Sequence, residues 1–196
     1  WLAQLQNALT EAQLIEPIAI ETELVQPITL VAALPKGQGF DDVVRMVTEL
    51  GVTTLIPILT ARTLVNPSEQ KLERWRRIAT EAAEQSCRQI VPEIMAPISF
   101  AQVLFLVQSD RFSSQHPFIC VTDNTATNFL DALRKTPKQG ILTLVGPEGG
   151  WTPEEQTAAI AQGFLPVSLG HRVLRAITAS IAVIAVAATQ MDAQQP

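Results

Sequence analysis

From residue 28 onward, continuous apolar runs alternate with segments whose apolar positions recur every three to four residues. PITLVAAL (27–34) is apolar almost throughout, the pattern of a strand buried on both faces. Residues 40–50 have helical spacing, and Gly51 stops that helix. TTLIPIL (53–59) predicts a second strand. Ser68 then predicts the cap of a long helix running to about Gln89, with Glu69 in its first turn and Arg88 in its last. FICVTD (118–123), ILTLVG (141–146) and FLPVSLG (164–170) predict three further strands, with helices over 128–134 and 153–162 between them. Strands alternating with helices define an α/β fold with a mostly parallel sheet. Ligands in such sheets sit at the carboxyl ends of the strands, which singles out the loops after Asp123, Gly146 and Gly170. Residues 1–25 break the alternation and read as short strands or a hairpin, the tail of another domain.

The longest apolar run is AITASIAVIAVAATQM (176–191). A membrane helix needs about 20 such residues, many of them large. This run is short and rich in alanine, so it predicts a helix buried on most sides, against a second subunit where no polar face remains. Composition adds that the chain is globular, with 47% hydrophobic and 17% charged residues among 196. A net charge of −5 argues against a protein that coats nucleic acid and leaves room only for a local basic patch. Cys87 and Cys120 form no CxxC and have no neighbouring histidine, so neither a metal site nor a disulfide framework is expected. A reducing cytoplasm is the simpler setting. The chain opens at Trp1 with no charged-then-apolar leader and is expected to be part of something longer.

LVGPEGGWTPEEQ (144–156) carries the chemistry. Strand, glycine loop and helix in that order often cradle a phosphate. Here, however, Thr152 stands three residues before Glu155 with Pro153 between them, a capping box that closes the helix with its own side chains. Glu148, Glu154 and Glu155 place negative charge where a phosphate would sit. GxxxxGK[ST] and a strand-linked GxGxxG are absent, and KGQGF (36–40) is too short to stand for either. The loop therefore suits a neutral or cationic ligand held through backbone groups, or else is simply a turn with a helix cap.

LVGPEGGWTPEE, followed about twenty residues later by LGHRVLRAITA (169–179), resembles the RsmE family. These are SPOUT-class methyltransferases that modify N3 of a uridine in small-subunit (16S) ribosomal RNA. ALPKGQGFDDVVRMVTELGVTTLIPILTAR (33–62) and KLERWRRIATEAAEQSCRQIVPEI (71–94) resemble the same family in the same order. The resemblance implies an α/β domain with a C-terminal deep trefoil knot over residues 26–196, working as a homodimer. Residues 1–25 would be a remnant of a PUA-like RNA-binding β-barrel. It further implies S-adenosylmethionine as cofactor, whose sulfonium an anionic loop does not repel. The residues carried over for it are Leu144, Val145, Gly146, Glu148 and Gly149, then Leu169, Gly170 and Leu174.

Methyl transfer from a sulfonium depends mostly on positioning the accepting nitrogen. The uracil anion that develops needs a cationic partner, for which Arg175 and Arg172 are the candidates. A guanidinium stays protonated and is not the base. Where the family often reads RTETA, this chain reads RAITA (175–179), and His171 stands where proline is frequent. Arg74, Arg77, Glu81, Glu84 and Arg88 fall on one helix face, of which Glu81 and Glu84 read as part of a solvated, ion-paired surface. Lys36, Arg62 and Arg88 match family motifs and are expected to contact RNA phosphates. Cys87 stands where glycine is usual and reads as packing. A methyltransferase for another RNA, such as transfer RNA, or a non-catalytic knotted RNA-binding or assembly protein, is also compatible with these residues.

Overall fold

A computed structural model describes residues 2–6, 11–16, 22–35, 39–63, 67–123, 125–137 and 139–193. The chain starts with two antiparallel strands, β1 (Leu2–Gln6) and β2 (Glu11–Glu16), the hairpin expected in the first 25 residues. A separate sheet contains β3 (Ile28–Ala33), β4 (Thr54–Leu59), β5 (Glu93–Ile94), β6 (Ile98–Ser99), β7 (Gln115–Cys120), β8 (Thr127–Asn128), β9 (Gly140–Val145) and β10 (Leu165–Ser168). Its order is β5-β4-β3-β9-β7-β10-β8, with β6 also paired to β4, and every described pairing in it is parallel. The helices are α1 (Phe40–Glu49), α2 (Glu69–Gln85), α3 (Phe100–Leu106), α4 (Phe129–Lys135), α5 (Pro153–Ala161) and α6 (Ala176–Asp192).

The apolar strands are buried on both faces because helices cover both. Ile28, Leu30 and Ala32 of β3 point into a core shared with α1, α2, α4 and α6, whereas Val31 and Ala33 point into a second core with α3 and α5. On α6, Ala176, Ser180, Val183, Ile184, Ala187 and Ala188 are buried, while Ile181, Ala182, Ala185 and Val186 on the other side are half-buried. No helix among the described residues is long and apolar enough to cross a membrane.

Three local expectations change. The second helix ends at Gln85 rather than near Gln89, because Cys87 takes φ 57 and turns the chain. The amides of Cys87 and Arg88 bond back to the carbonyls of Glu84 (3.2 Å) and Ala83 (2.9 Å), a Schellman turn that leaves Cys87 exposed and not packed. Ser68 holds the N-cap position, but its hydroxyl makes no capping bond.

The segment before β3 is fastened to the parallel-sheet unit. Arg88 is buried, donates to the carbonyls of Thr48 and Val52 at 2.8 Å each, and pairs with Glu23 at 2.6 Å. Glu23 also accepts the amides of Gln89 (3.0 Å) and Ile90 (3.2 Å). Burial pushes the Glu23 carboxyl up, but the Arg88 hydrogen bond and charge and those two amides together outweigh it and hold it below the usual range. Every face of the Arg88 guanidinium is thus used internally, so it is not available to an RNA phosphate.

Candidate active site

The sheet order brings β9, β7 and β10 side by side, so the loops leaving their carboxyl ends meet. They enclose a cavity of about 340 Å³, within the range of small-molecule sites. Val145, Gly146, Glu148 and Gly149 line it from the first loop. Leu169, Gly170, Arg172 and Leu174 line it from the loop after β10, and Cys120 to Thr122 from the loop after β7. Leu144 does not reach it, being fully buried on the α3–α5 side of the sheet. Arg175 also lies outside the lining, exposed at the N-cap of α6. Among the described residues neither Arg172 nor Arg175 forms an ion pair. Lys36 lies outside the described residues.

The glycine loop takes its shape from Trp151, which sequence reasoning missed. Its ring is buried and packs 5.6 Å from that of Phe100, and its indole N–H donates to the Cys120 carbonyl at 2.9 Å. A Cβ on Gly146 would lie 2.9 Å from this ring, so only glycine lets the strand end close on the tryptophan. Gly150, with φ 69, closes the turn by donating to the Pro147 carbonyl at 2.8 Å. The indole thereby ties the first loop to the third. Only a large aromatic straight after paired glycines marked it in the sequence, and its partner, Cys120, is remote along the chain.

The capping box forms as expected. Thr152 Oγ1 accepts the Glu155 amide at 3.2 Å, and Glu155 Oε2 accepts the Thr152 amide at 2.9 Å. The other carboxylate oxygen of Glu155 accepts the amide of Ala61 at 2.9 Å, binding the loop after β4 to this helix end. Glu155 is buried and fully engaged, so it adds little negative charge to the cavity. Glu154 is exposed, and its carboxyl is held below its usual range by a backbone amide, by Thr152 and by the charge of Arg62. Arg62 lines the cavity and donates from Nη1 to the Gly149 carbonyl. Two guanidiniums, Arg62 and Arg172, therefore stand with Glu148 around the cavity, which carries both signs of charge instead of being simply anionic. Burial pushes the Cys120 thiol up to about 12, which leaves it a packing group. Among the described residues no cluster of three or more acidic, histidine or cysteine side chains could hold a metal.

A parallel α/β sheet whose strand-end loops build one cavity around a glycine turn matches a known class of domain. Residues 22–188 match the family model described as RNA methyltransferase domain. Over 188 residues the chain is 47% identical to the ribosomal RNA small subunit methyltransferase E of Synechocystis sp., covering 94% of this chain. The chain belongs to this methyltransferase E family. It spans 61% of the length of the Synechocystis relative. The crystal structure of the Neisseria gonorrhoeae methyltransferase E bound to S-adenosyl methionine superposes with TM-score 0.78 at 32% identity, covering 88% of this chain and 69% of that one. The SpoU methyltransferase AviRb from Streptomyces viridochromogenes, in complex with AdoMet, shares the fold at TM-score 0.56 and 18% identity, covering 89% of this chain and 64% of that one.

Proposed function

We propose that this chain is the catalytic part of an S-adenosylmethionine-dependent methyltransferase acting on N3 of a uridine in small-subunit (16S) ribosomal RNA. The observation that carries the proposal is the meeting of the two glycine loops in one cavity. The residues suit the cofactor on two counts. The helix end that would attract a phosphate is already closed by Thr152 and Glu155. The cavity also presents Glu148 beside Arg62 and Arg172, charges of both signs for a ligand that carries a sulfonium, an ammonium and a carboxylate. When bound there, S-adenosylmethionine supplies an electrophilic methyl group.

The chain's own residues would do the remaining work. Backbone groups of Gly146 to Gly150 and of Leu169 to Leu174 hold and orient the cofactor, and Trp151 keeps the first loop rigid. Arg172, on the cavity wall, and Arg175, at the exposed start of α6, are the cations placed to stabilise negative charge on the uracil ring. Lys36, carried over from the family motif, would add a phosphate contact. The half-buried outer face of α6, without a charge before Asp192, supports a homodimer built on that helix. The strand order in which β9 and β10 insert beside β7 supports a trefoil-knotted SPOUT domain over 26–196. The β1–β2 hairpin supports a PUA-like barrel remnant over 1–25, with the Glu23–Arg88 pair fastening its end. Small ribosomal subunits, and hence a cytoplasmic setting, complete the reading.

Calorimetric titration with S-adenosylmethionine, with ATP as the phosphate-bearing control, tests the cavity. Binding of the first near one per chain without binding of the second is expected. Methyl incorporation into uridine of small subunits tests the reaction. Cofactor binding without incorporation, from a folded dimer, would leave a non-catalytic RNA-binding protein.

A further inference from the structure

The loop between β4 and α2 lies outside the strand-end loops that hold the cofactor in the proposed function, yet it is bonded to the glycine loop twice. Ala61 donates its amide to Glu155 Oε1 at 2.9 Å, while Glu155 Oε2 takes the amide of Thr152, so one buried carboxylate joins the two segments. One residue on, Arg62 lays its side chain over Gly149, where an added Cβ would lie 3.1 Å from Arg62 Cδ, and Nη1 donates to the Gly149 carbonyl. The loop is itself braced. Thr60 accepts the amide of Thr63 at 3.1 Å through its carbonyl, and its own amide donates to Thr63 Oγ1 at 3.0 Å. The Arg62 amide donates to Thr60 Oγ1 at 3.3 Å.

We infer that Arg62 is a positioning residue for the glycine loop, holding the Pro147–Gly150 turn against the cavity, and is not primarily a phosphate contact. The physical case is that this turn has no regular ladder of its own. Its bond from Gly150 to Pro147 fixes curvature, and Trp151 fixes its far end. The charged donor on the Gly149 carbonyl fixes the middle, at the point where a ligand would otherwise meet a mobile chain. A loop ordered in advance costs a ligand less entropy on binding. Arg62 is itself exposed, so its removal leaves the core intact.

The inference rests on the cofactor reading, and the test separates the two. Hydrogen exchange of the unliganded protein is compared among wild type, Arg62→Ala and Arg62→Lys. The amides of 148–151 should exchange about five- to tenfold faster in Arg62→Ala, as loss of one charge-assisted bond implies. Those of α1 should not change, and Arg62→Lys should fall between. Titration with S-adenosylmethionine, without RNA, should show affinity reduced by a similar factor. Unchanged exchange in Arg62→Ala overturns the inference, as does unchanged cofactor affinity with weakened RNA binding. If wild type binds no S-adenosylmethionine, the proposed function fails while the exchange result still decides whether Arg62 orders the turn. Glu155→Gln, which keeps the shape but can accept only one of the two amides well, should loosen 60–63 and 149–152 together. Loosening of only one segment would show that Glu155 does not couple them.

Discussion

Replacing Arg88 with alanine separates two roles for one residue. The Arg88 side chain is 2% exposed and that of Glu23 22%, so the arginine is withdrawn from water while the carboxylate keeps some of it. The substitution removes the 2.6 Å ion pair and the donors to the Thr48 and Val52 carbonyls. It leaves a half-buried carboxylate and two carbonyls at the end of α1 with their partner gone. Breaking a buried pair from one side costs roughly 3–5 kcal/mol. Glu23 keeps some solvent and the amides of Gln89 and Ile90, which places the expectation near the lower end, about 3 kcal/mol. For a chain of this size that is a fall in melting temperature of roughly 6–12 °C. Urea denaturation of wild type and Arg88→Ala, at equal protein concentration, reads the difference directly. A loss below about 1 kcal/mol, accompanied by weaker RNA binding, would refute the structural role and restore the phosphate contact.

Four further outcomes follow from the same geometry. Glu23 has a carboxyl held below its unfolded value of about 4.3, so its stabilisation is complete above that pH and is lost as pH falls through the folded value. Melting curves from pH 6 down to 3 should fall less steeply in Glu23→Gln than in wild type. Cys87→Gly should raise stability by about 1 kcal/mol, since φ 57 strains any residue with a Cβ, and denaturant midpoints will show it. Gly146→Ala sets a Cβ at 2.9 Å from the Trp151 ring and should cost roughly 1–3 kcal/mol while abolishing cofactor binding in titration. With the Cys120 thiol pushed up to about 12 and Cys87 exposed, Ellman's reagent at pH 8 should label one thiol in the folded chain and both in urea.

The parallel sheet was legible because its central strands are buried on both faces, so β3, β4 and β9 appear as nearly unbroken apolar runs and β7 and β10 show one over part of their length. The short edge strands β5, β6 and β8, of two residues each, carry no such signal. The capping box of α5 was legible because both partners lie within four residues. What escaped the sequence was long-range. Glu155 meets Ala61 at a separation of 94 residues, Arg88 meets Glu23 at 65, and the indole of Trp151 meets Cys120 at 31. Arg88 illustrates the limit most directly. Its pattern puts it in the last turn of a polar helix as a phosphate contact, and only the fold shows the Thr48 and Val52 carbonyls beneath it.

The altered RAITA segment can now be judged by what its side chains touch. Ala176 is buried and lines the cavity wall. Ile177 packs against the start of α1, where a Cβ on Gly39 would lie 2.3 Å from its Cδ1, and joins the larger hydrophobic core. A carboxylate at 177 would give up that apolar contact on a half-buried side chain. This chain therefore assigns position 177 to packing, and no proton can be routed through it. Among the described residues, the ionisable side chains that line the cavity are Glu148, Arg62 and Arg172, beside the Cys120 thiol that burial pushes up to about 12. If Arg62 is committed to the glycine loop, Arg172 is the lining cation that remains among the described residues. Arg175, three residues further on and exposed at the N-cap of α6, lies outside that lining.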